Sequence, residues 1–152
     1  MGLDMWLHAK RYLWSDSVRP EETPVKKTIA HAIGAHKDWE TKEVSCLVAQ
    51  WRKSNAVHGW FVENVQDGED NCQEYEVSRE KLQALVNDID EVLGARMRAS
   101  KAMEKLPPVD GPFFGSFDLD EHYYNDLEYT KMMALDALAA PKCWDFYYSS
   151  SW

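Results

Sequence analysis

With 152 residues, 45% of them hydrophobic and 12% aromatic, the chain is long enough to bury one core and too apolar to stay disordered. Its formal charge of -9 disfavours direct binding to nucleic acid, whose phosphates reward basic surfaces, and leaves open an acidic face that occupies a basic groove on another protein. No apolar run reaches the roughly 18 residues of a membrane span, and MGLDMWLHAKRYLW has neither a signal-peptide nor a myristoylation pattern, so a cytoplasmic protein without a membrane partner is expected.

Residues 3–14 alternate, with Leu3, Met5, Leu7 and Ala9 on one side, which predicts a strand. SDSVRPEETP is turn chemistry. Residues 25–33, VKKTIAHAI, alternate again and predict a second strand pairing antiparallel with the first. From Lys42 to Val65 the period changes. Val44, Leu47, Val48, Trp51, Val62 and Val65 fall on one stripe at a helical period, so one long helix is predicted, ended at Asp67-Gly68. Glu74 to Val77 reads as a short extended segment. Ser78 suits an N-cap, with Glu80 in the first turn and a stripe of Leu82, Leu85, Val86, Ile89 and Leu93 behind it. Gly94 interrupts that helix before a basic piece, 95–105, and Pro107-Pro108 stops it. VDGPFFGSF reads as an aromatic loop or short strand. Asp118 or Asp120 can cap a last helix running to about Ala139. The predicted fold is α+β: a small antiparallel hairpin or sheet packed against three to four helices. Residues 1–140 form the domain, and 141–152 form an aromatic tail docked on it or on a neighbouring subunit.

Motifs for catalysis are sparse. There is no phosphate-binding loop, no dinucleotide glycine motif, no H-E-x-x-H and no nucleophile elbow. Cys46, Cys72 and Cys143 lie far apart without a C-x-x-C, against a disulfide framework or a cysteine zinc site. Cys46, inside an apolar pattern, reads as packing. Counted from Asp67, the acidic loop DGEDN puts Cys72 at position six and Ser78 at position twelve, where an EF-hand needs Gly and Glu. No metal and no cofactor is expected. His122 and Asp126 stand at i, i+4 on one helical face with no Ser or Cys nucleophile near them in sequence.

Asn55 and His58 fall in the apolar stripe of the predicted long helix, beside Trp51 and Val62, with Trp60 opposite and Glu63 on a third face. Buried polar groups need partners. The pair is therefore a satisfied structural hydrogen bond, one wall of a ligand pocket, or a site of acid–base work by His58. The aromatic groups form two clusters, Phe113 to Tyr129 and Trp144 to Trp152. Flat rings with polar tips suit planar ligands and protein interfaces alike.

Three stretches, MGLDMWL, WRKSNAVHGWFVENVQDGEDNCQEYEVSRE and GPFFGSFDLDEHYYNDLEYT, resemble the N-terminal, central and C-terminal motifs of a group of small proteins from phages and prophages. The likeness touches both ends and the middle, so most of the chain. It implies a bacterial host cell and a counter-defence role without catalysis. Such a role is either sequestering a nucleotide-like small molecule or docking on a host defence protein as an acidic nucleic-acid mimic. A homo-oligomer is expected. The ligand site expected from the motifs joins Asn55, His58, Trp60 and Glu63 to Tyr123 and Tyr124. The rival is a small metal-dependent hydrolase or nuclease using His58, Glu63 and Asp67.

Overall fold

The computed structural model describes residues 2–111 and 113–152. Met1 and Pro112, which belong to the first and last of the distinctive motifs, lie outside the described residues. The fold is α+β, a four-stranded antiparallel sheet in the order β2-β1-β4-β3 with helices packed on it. The strands are β1 Asp4–Tyr12, β2 Glu43–Arg52, β3 Tyr75–Val77 and β4 Asp145–Ser151. The helices are α1 Thr23–Ala32, α2 Asn55–Val65, α3 Arg79–Gly94, α4 Ala99–Lys105 and α5 Glu121–Ala139. Among the described residues, no helix is long and apolar enough to cross a membrane.

β1 takes the predicted alternation. Leu3, Met5, Leu7 and Ala9 are buried in one cluster with Phe61 of α2, Leu85 and Ile89 of α3 and Leu127 of α5. Ser78 accepts a hydrogen bond from the Lys81 amide at the start of α3, and Asp120 accepts one from the Tyr123 amide at the start of α5. Both are N-caps that satisfy donors the helix cannot pair itself.

Two predicted elements are corrected. Residues 25–33 belong to α1 and form no strand. Pro24 sits in its first turn and Gly34, at a φ of 67°, follows its end, the arrangement in which Pro pre-sets a helix and Gly takes the left-handed exit. The strand that pairs with β1 is instead residues 43–52, drawn from the sequence as the first half of a long helix. The cause is a bulge. Leu7 pairs with Ala49 while His8 pairs with Leu47, so Val48 is the extra residue. Around it the residues opposite the buried side of β1 are Val44, Cys46, Ala49 and Trp51. Of the predicted stripe only Val44 and Trp51 lie on this side: Leu47 faces the other way, 53% exposed, and Val48 is the bulge residue, so the apparent helical spacing joins residues of both faces. Cys46 is an exposed thiol on this strand and does not pack in a helix.

The last residues enter the sheet. β4 pairs with β1 on one side and β3 on the other, with Phe146 against Ala9 and Val77 and Tyr148 against Leu7 and Tyr75. The turn into it is fixed by Arg79. Its guanidinium donates to the carbonyls of Leu138 at 3.0 Å and Pro141 at 2.9 Å and lies over the Phe146 ring at 5.1 Å. A cation at a helix C-terminus is favoured by the orphan carbonyls there.

Candidate functional site

α2 is short and almost entirely buried along Asn55–Phe61, so its polar residues must find partners inside the protein. Asn55 donates through Nδ2 to the carbonyls of Ser116 at 2.9 Å and Phe114 at 3.3 Å. This ties the loop before α5 to the start of α2. Gly115 in that loop has a φ of 106°, and a Cβ built there would stand 3.0 Å from the Lys53 carbonyl. Only glycine accepts both the backbone region and the approach. Gly115→Ala is expected to cost about 1–3 kcal/mol, read as a lowered midpoint in urea unfolding.

This loop, the β2–α2 turn and the first two turns of α5 enclose a cavity of about 290 Å³. Arg52, Lys53, Asn55, His122, Tyr123 and Asp126 contribute to its walls. Ser54, the N-cap of α2, makes no capping hydrogen bond, so the first-turn amides of α2 keep their donors for another acceptor. Burial pushes the Asp126 carboxyl above the ordinary carboxylate range, and the Ser54 hydroxyl and His122 pull it part of the way back. A half-buried acid with a raised pKa in a cleft marks a candidate site by its chemistry.

A second constellation lies on the other side of the loop. His58 is 1% exposed. Its Nε2 stands 3.0 Å from the Asp70 carboxylate and its Nδ1 2.7 Å from the Tyr148 hydroxyl. A carboxylate only accepts, so Nε2 carries a proton and donates. The second Asp70 oxygen accepts from the Trp152 indole at 3.0 Å. Tyr148 stacks on Phe61 with ring centres 4.0 Å apart, and burial raises its pKa well above the usual phenol range. The chain Tyr148–His58–Asp70–Trp152 thus joins β4 and the last residue to α2 and the loop after it. His58 also borders a smaller cavity of about 210 Å³ with Glu63, Asp110 and Phe114.

The six residues named from the sequence therefore separate. Asn55 and Tyr123 share the first cavity, and His58 and Glu63 the second. Trp60 and Tyr124 line neither cavity. The Trp60 indole donates to Asp88 of α3 at 2.9 Å, so α2 is buried on both its sides. The Tyr124 hydroxyl donates to the Arg96 carbonyl at 3.1 Å, and the Arg96 guanidinium lies 4.4 Å from its ring centre. Even the Tyr123 hydroxyl is engaged, donating to the Leu106 carbonyl at 2.8 Å, so Tyr123 offers its ring.

Arg52, Lys53 and Ser54 were missed because the predicted helix ran through them. Tyr148 and Trp152 were missed because sequence spacing carries no sign of a contact across 90 or 82 positions, and Asp70 because the turn after α2 that folds it back onto His58, 12 positions away, leaves no periodic mark. In the acidic loop, Asp70 pairs with His58 and Asn71 with Tyr75 and the Gln73 amide. Among the described residues, no three His, Cys, Asp or Glu side chains converge where a metal ion could sit. No protein-family model, curated protein or solved structure matches the chain.

Proposed function

We propose that this is a non-enzymatic binding protein that holds a small nucleotide-like molecule in the cavity between the β2–α2 turn and α5. The observation that carries the reading is the meeting of three groups: the uncapped amide end of α2, the Arg52–Lys53 pair and the burial-raised carboxyl of Asp126. Helix N-termini favour phosphate, and carboxyl groups serve sugar hydroxyls and base N–H donors. Ligand cavities start at roughly 300 Å³, so about 290 Å³ suits one nucleotide unit better than two. The likeness to phage and prophage proteins supports a counter-defence use, in which a host signal is sequestered without being consumed.

The arrangement around His58 supports binding over catalysis. Both its ring nitrogens are engaged, and Asp67 lies at a turn with a φ of 52°, apart from the His58 chain. The hydrolase reading built on His58, Glu63 and Asp67 gains nothing from this geometry. The acidic-mimic reading rests on net charge and is separated by salt: its complex weakens as ionic strength rises, with no dependence on Arg52.

The test is calorimetric titration with AMP, cyclic AMP and inorganic phosphate. Arg52 is 70% exposed in its side chain, so Arg52→Glu is expected to keep the fold and weaken nucleotide binding roughly tenfold or more. Unchanged affinity contradicts the reading. The pH dependence follows from Asp126. A raised carboxyl pKa means the folded chain holds a proton that the unfolded chain has released. That contribution to stability is present below the ordinary carboxylate range and is lost as pH rises through the raised value. Nucleotide binding falls over the same window, because the ionised Asp126 adds to the Asp118 and Asp120 carboxylates on the same cavity wall in repelling phosphate. Asp126→Asn is expected to flatten both profiles, measured by urea unfolding and by titration across pH.

A further inference from the structure

Between β1 and β2 the chain leaves the sheet for some thirty residues, and this excursion is unlike the rest of the protein. α1 buries little. Its one buried residue is Lys26, whose ammonium is fully occupied by Asp16 at 2.6 Å, Glu40 at 3.1 Å and the Trp14 carbonyl at 3.0 Å. Glu40 is shared further with Lys42 at 2.6 Å. The two acids that line this region are therefore already paired, and a third, Asp38, stands 3.5 Å from the His36 ring, whose Nδ1 accepts from the Asp38 amide. Above them opens a cavity of about 380 Å³ whose walls include Lys27, His31, His36, Lys37 and Trp39. Among the described residues, Lys27, Lys37 and His31 form no ion pair, and Trp39 is 71% exposed. His36 is tilted against Trp39 with ring centres 6.1 Å apart, which steadies one side of the indole and leaves the other open.

An exposed Trp has no packing reason to stand in water, and a chain with a charge of -9 has no general reason to gather unpaired cations around it. A planar ring carrying an anionic group explains both. The indole supplies a stacking platform, which is sequence-tolerant because every base has a π face, and the lysines and histidines supply donors to phosphate. We propose that the β1–β2 excursion carries a second binding site, for a nucleoside phosphate, with the base stacked on Trp39 and the phosphate held by Lys27, Lys37 and the neighbouring histidines. The site stands on its own residues and does not depend on the cavity at α2. The same chemistry is offered by a free nucleotide and by the phosphorylated end of a single strand.

The experiment is NMR titration of the full chain, following the indole and imidazole signals, with three probes: AMP, inorganic phosphate and a 5′-phosphorylated oligothymidine. AMP is expected to move the Trp39 indole and the His31 and His36 rings, with Trp39→Ala and Lys27→Glu/Lys37→Glu each weakening this binding roughly tenfold. Arg52→Glu, which weakens the α2 site, leaves it unchanged, so loss of the α2 site and loss of this one read differently. Oligonucleotide binding tighter than AMP assigns the site to a strand end, and equal or weaker binding assigns it to the free nucleotide. Three results each overturn the proposal: no shift at Trp39 with either AMP or the oligonucleotide, affinity for AMP no better than for phosphate, or unchanged AMP affinity in Trp39→Ala. Lys27, Lys37 and Trp39 are exposed side chains of the excursion, so loss of fold does not confuse the reading.

Discussion

His58→Ala is expected to lower the free energy of unfolding by about 3–5 kcal/mol, against the 5–15 kcal/mol that a domain of this kind holds in total. Three losses combine. The Tyr148 hydroxyl, fully buried, is left without the ring nitrogen it meets at 2.7 Å, and a stranded buried polar group costs about 1–3 kcal/mol. Asp70 loses its partner from α2 and remains attached through the Trp152 indole alone. The missing imidazole leaves a void against Phe114, whose ring stands edge-on at 5.3 Å, and unfilled volume adds to the transfer cost. At about 2–4 °C per kcal/mol for a chain of this size, the melting temperature falls by roughly 10 °C. Tyr148→Phe provides the comparison. It keeps the stack on Phe61 and removes only the hydroxyl, so it costs about 1–2 kcal/mol. The double variant costs less than the sum, because the two side chains share one hydrogen bond. Calorimetry on the four proteins gives the answer. A single His58→Ala cost under 1 kcal/mol shows that the chain through Asp70 is not what holds β4 to α2.

Removing residues 142–152 is expected to abolish the native state altogether. β4 is an inner strand, hydrogen-bonded to β1 along Asp4–Lys10 and to β3 along Tyr75–Val77. Phe146 and Tyr148 are 1% and 0% exposed, and full burial of such side chains is worth roughly 1.5–3 kcal/mol each. Their loss, two opened sheet edges and the broken Asp70–Trp152 contact together exceed the margin of a small domain. The truncated chain is expected to lose near-ultraviolet dichroism and dispersed amide signals. A truncated chain that keeps a native-like spectrum contradicts the placement of β4 inside the sheet. The same reasoning changes what a truncation says about oligomers: a deleted tail reports on folding before it reports on subunit contacts.

The legible parts of the sequence were those where local chemistry and the fold agree. Ser78 and Asp120 announced α3 and α5 because a cap is a local bargain between one side chain and one amide. β1 announced itself because its alternation runs without a bulge on its own strand. β2 was hidden around Val48, where the bulge and apolar residues of both faces give a false period near 3.6. α1 was hidden because Val25, Ile29 and Ile33, four residues apart, lie on one face of a helix and equally on one side of a strand, and its apolar residues serve little core; Pro24 and Gly34 were the signals to weigh. His58 and Asn55 were recognisable as buried polar groups needing partners. Their partners were beyond local reading. Tyr148 and the Ser116 carbonyl arrive from other elements, and what brings them there is the sheet order and the Gly115 turn. The split of the expected site into two cavities follows from the same loop, which passes between them with the Phe114 ring on one side and Gly115 on the other.

The most direct test of the nucleotide-binding reading is native mass spectrometry on the full chain, purified gently from a bacterial cell extract and again after incubation with a panel of nucleotides and cyclic nucleotides. The binding account predicts that Trp39→Ala keeps an adduct of one nucleotide's mass and that adding Arg52→Glu to Trp39→Ala removes it, with the subunit number read from the same spectrum. A bare mass in every case, with the fold intact, contradicts it and turns the search toward a protein target for the acidic surface.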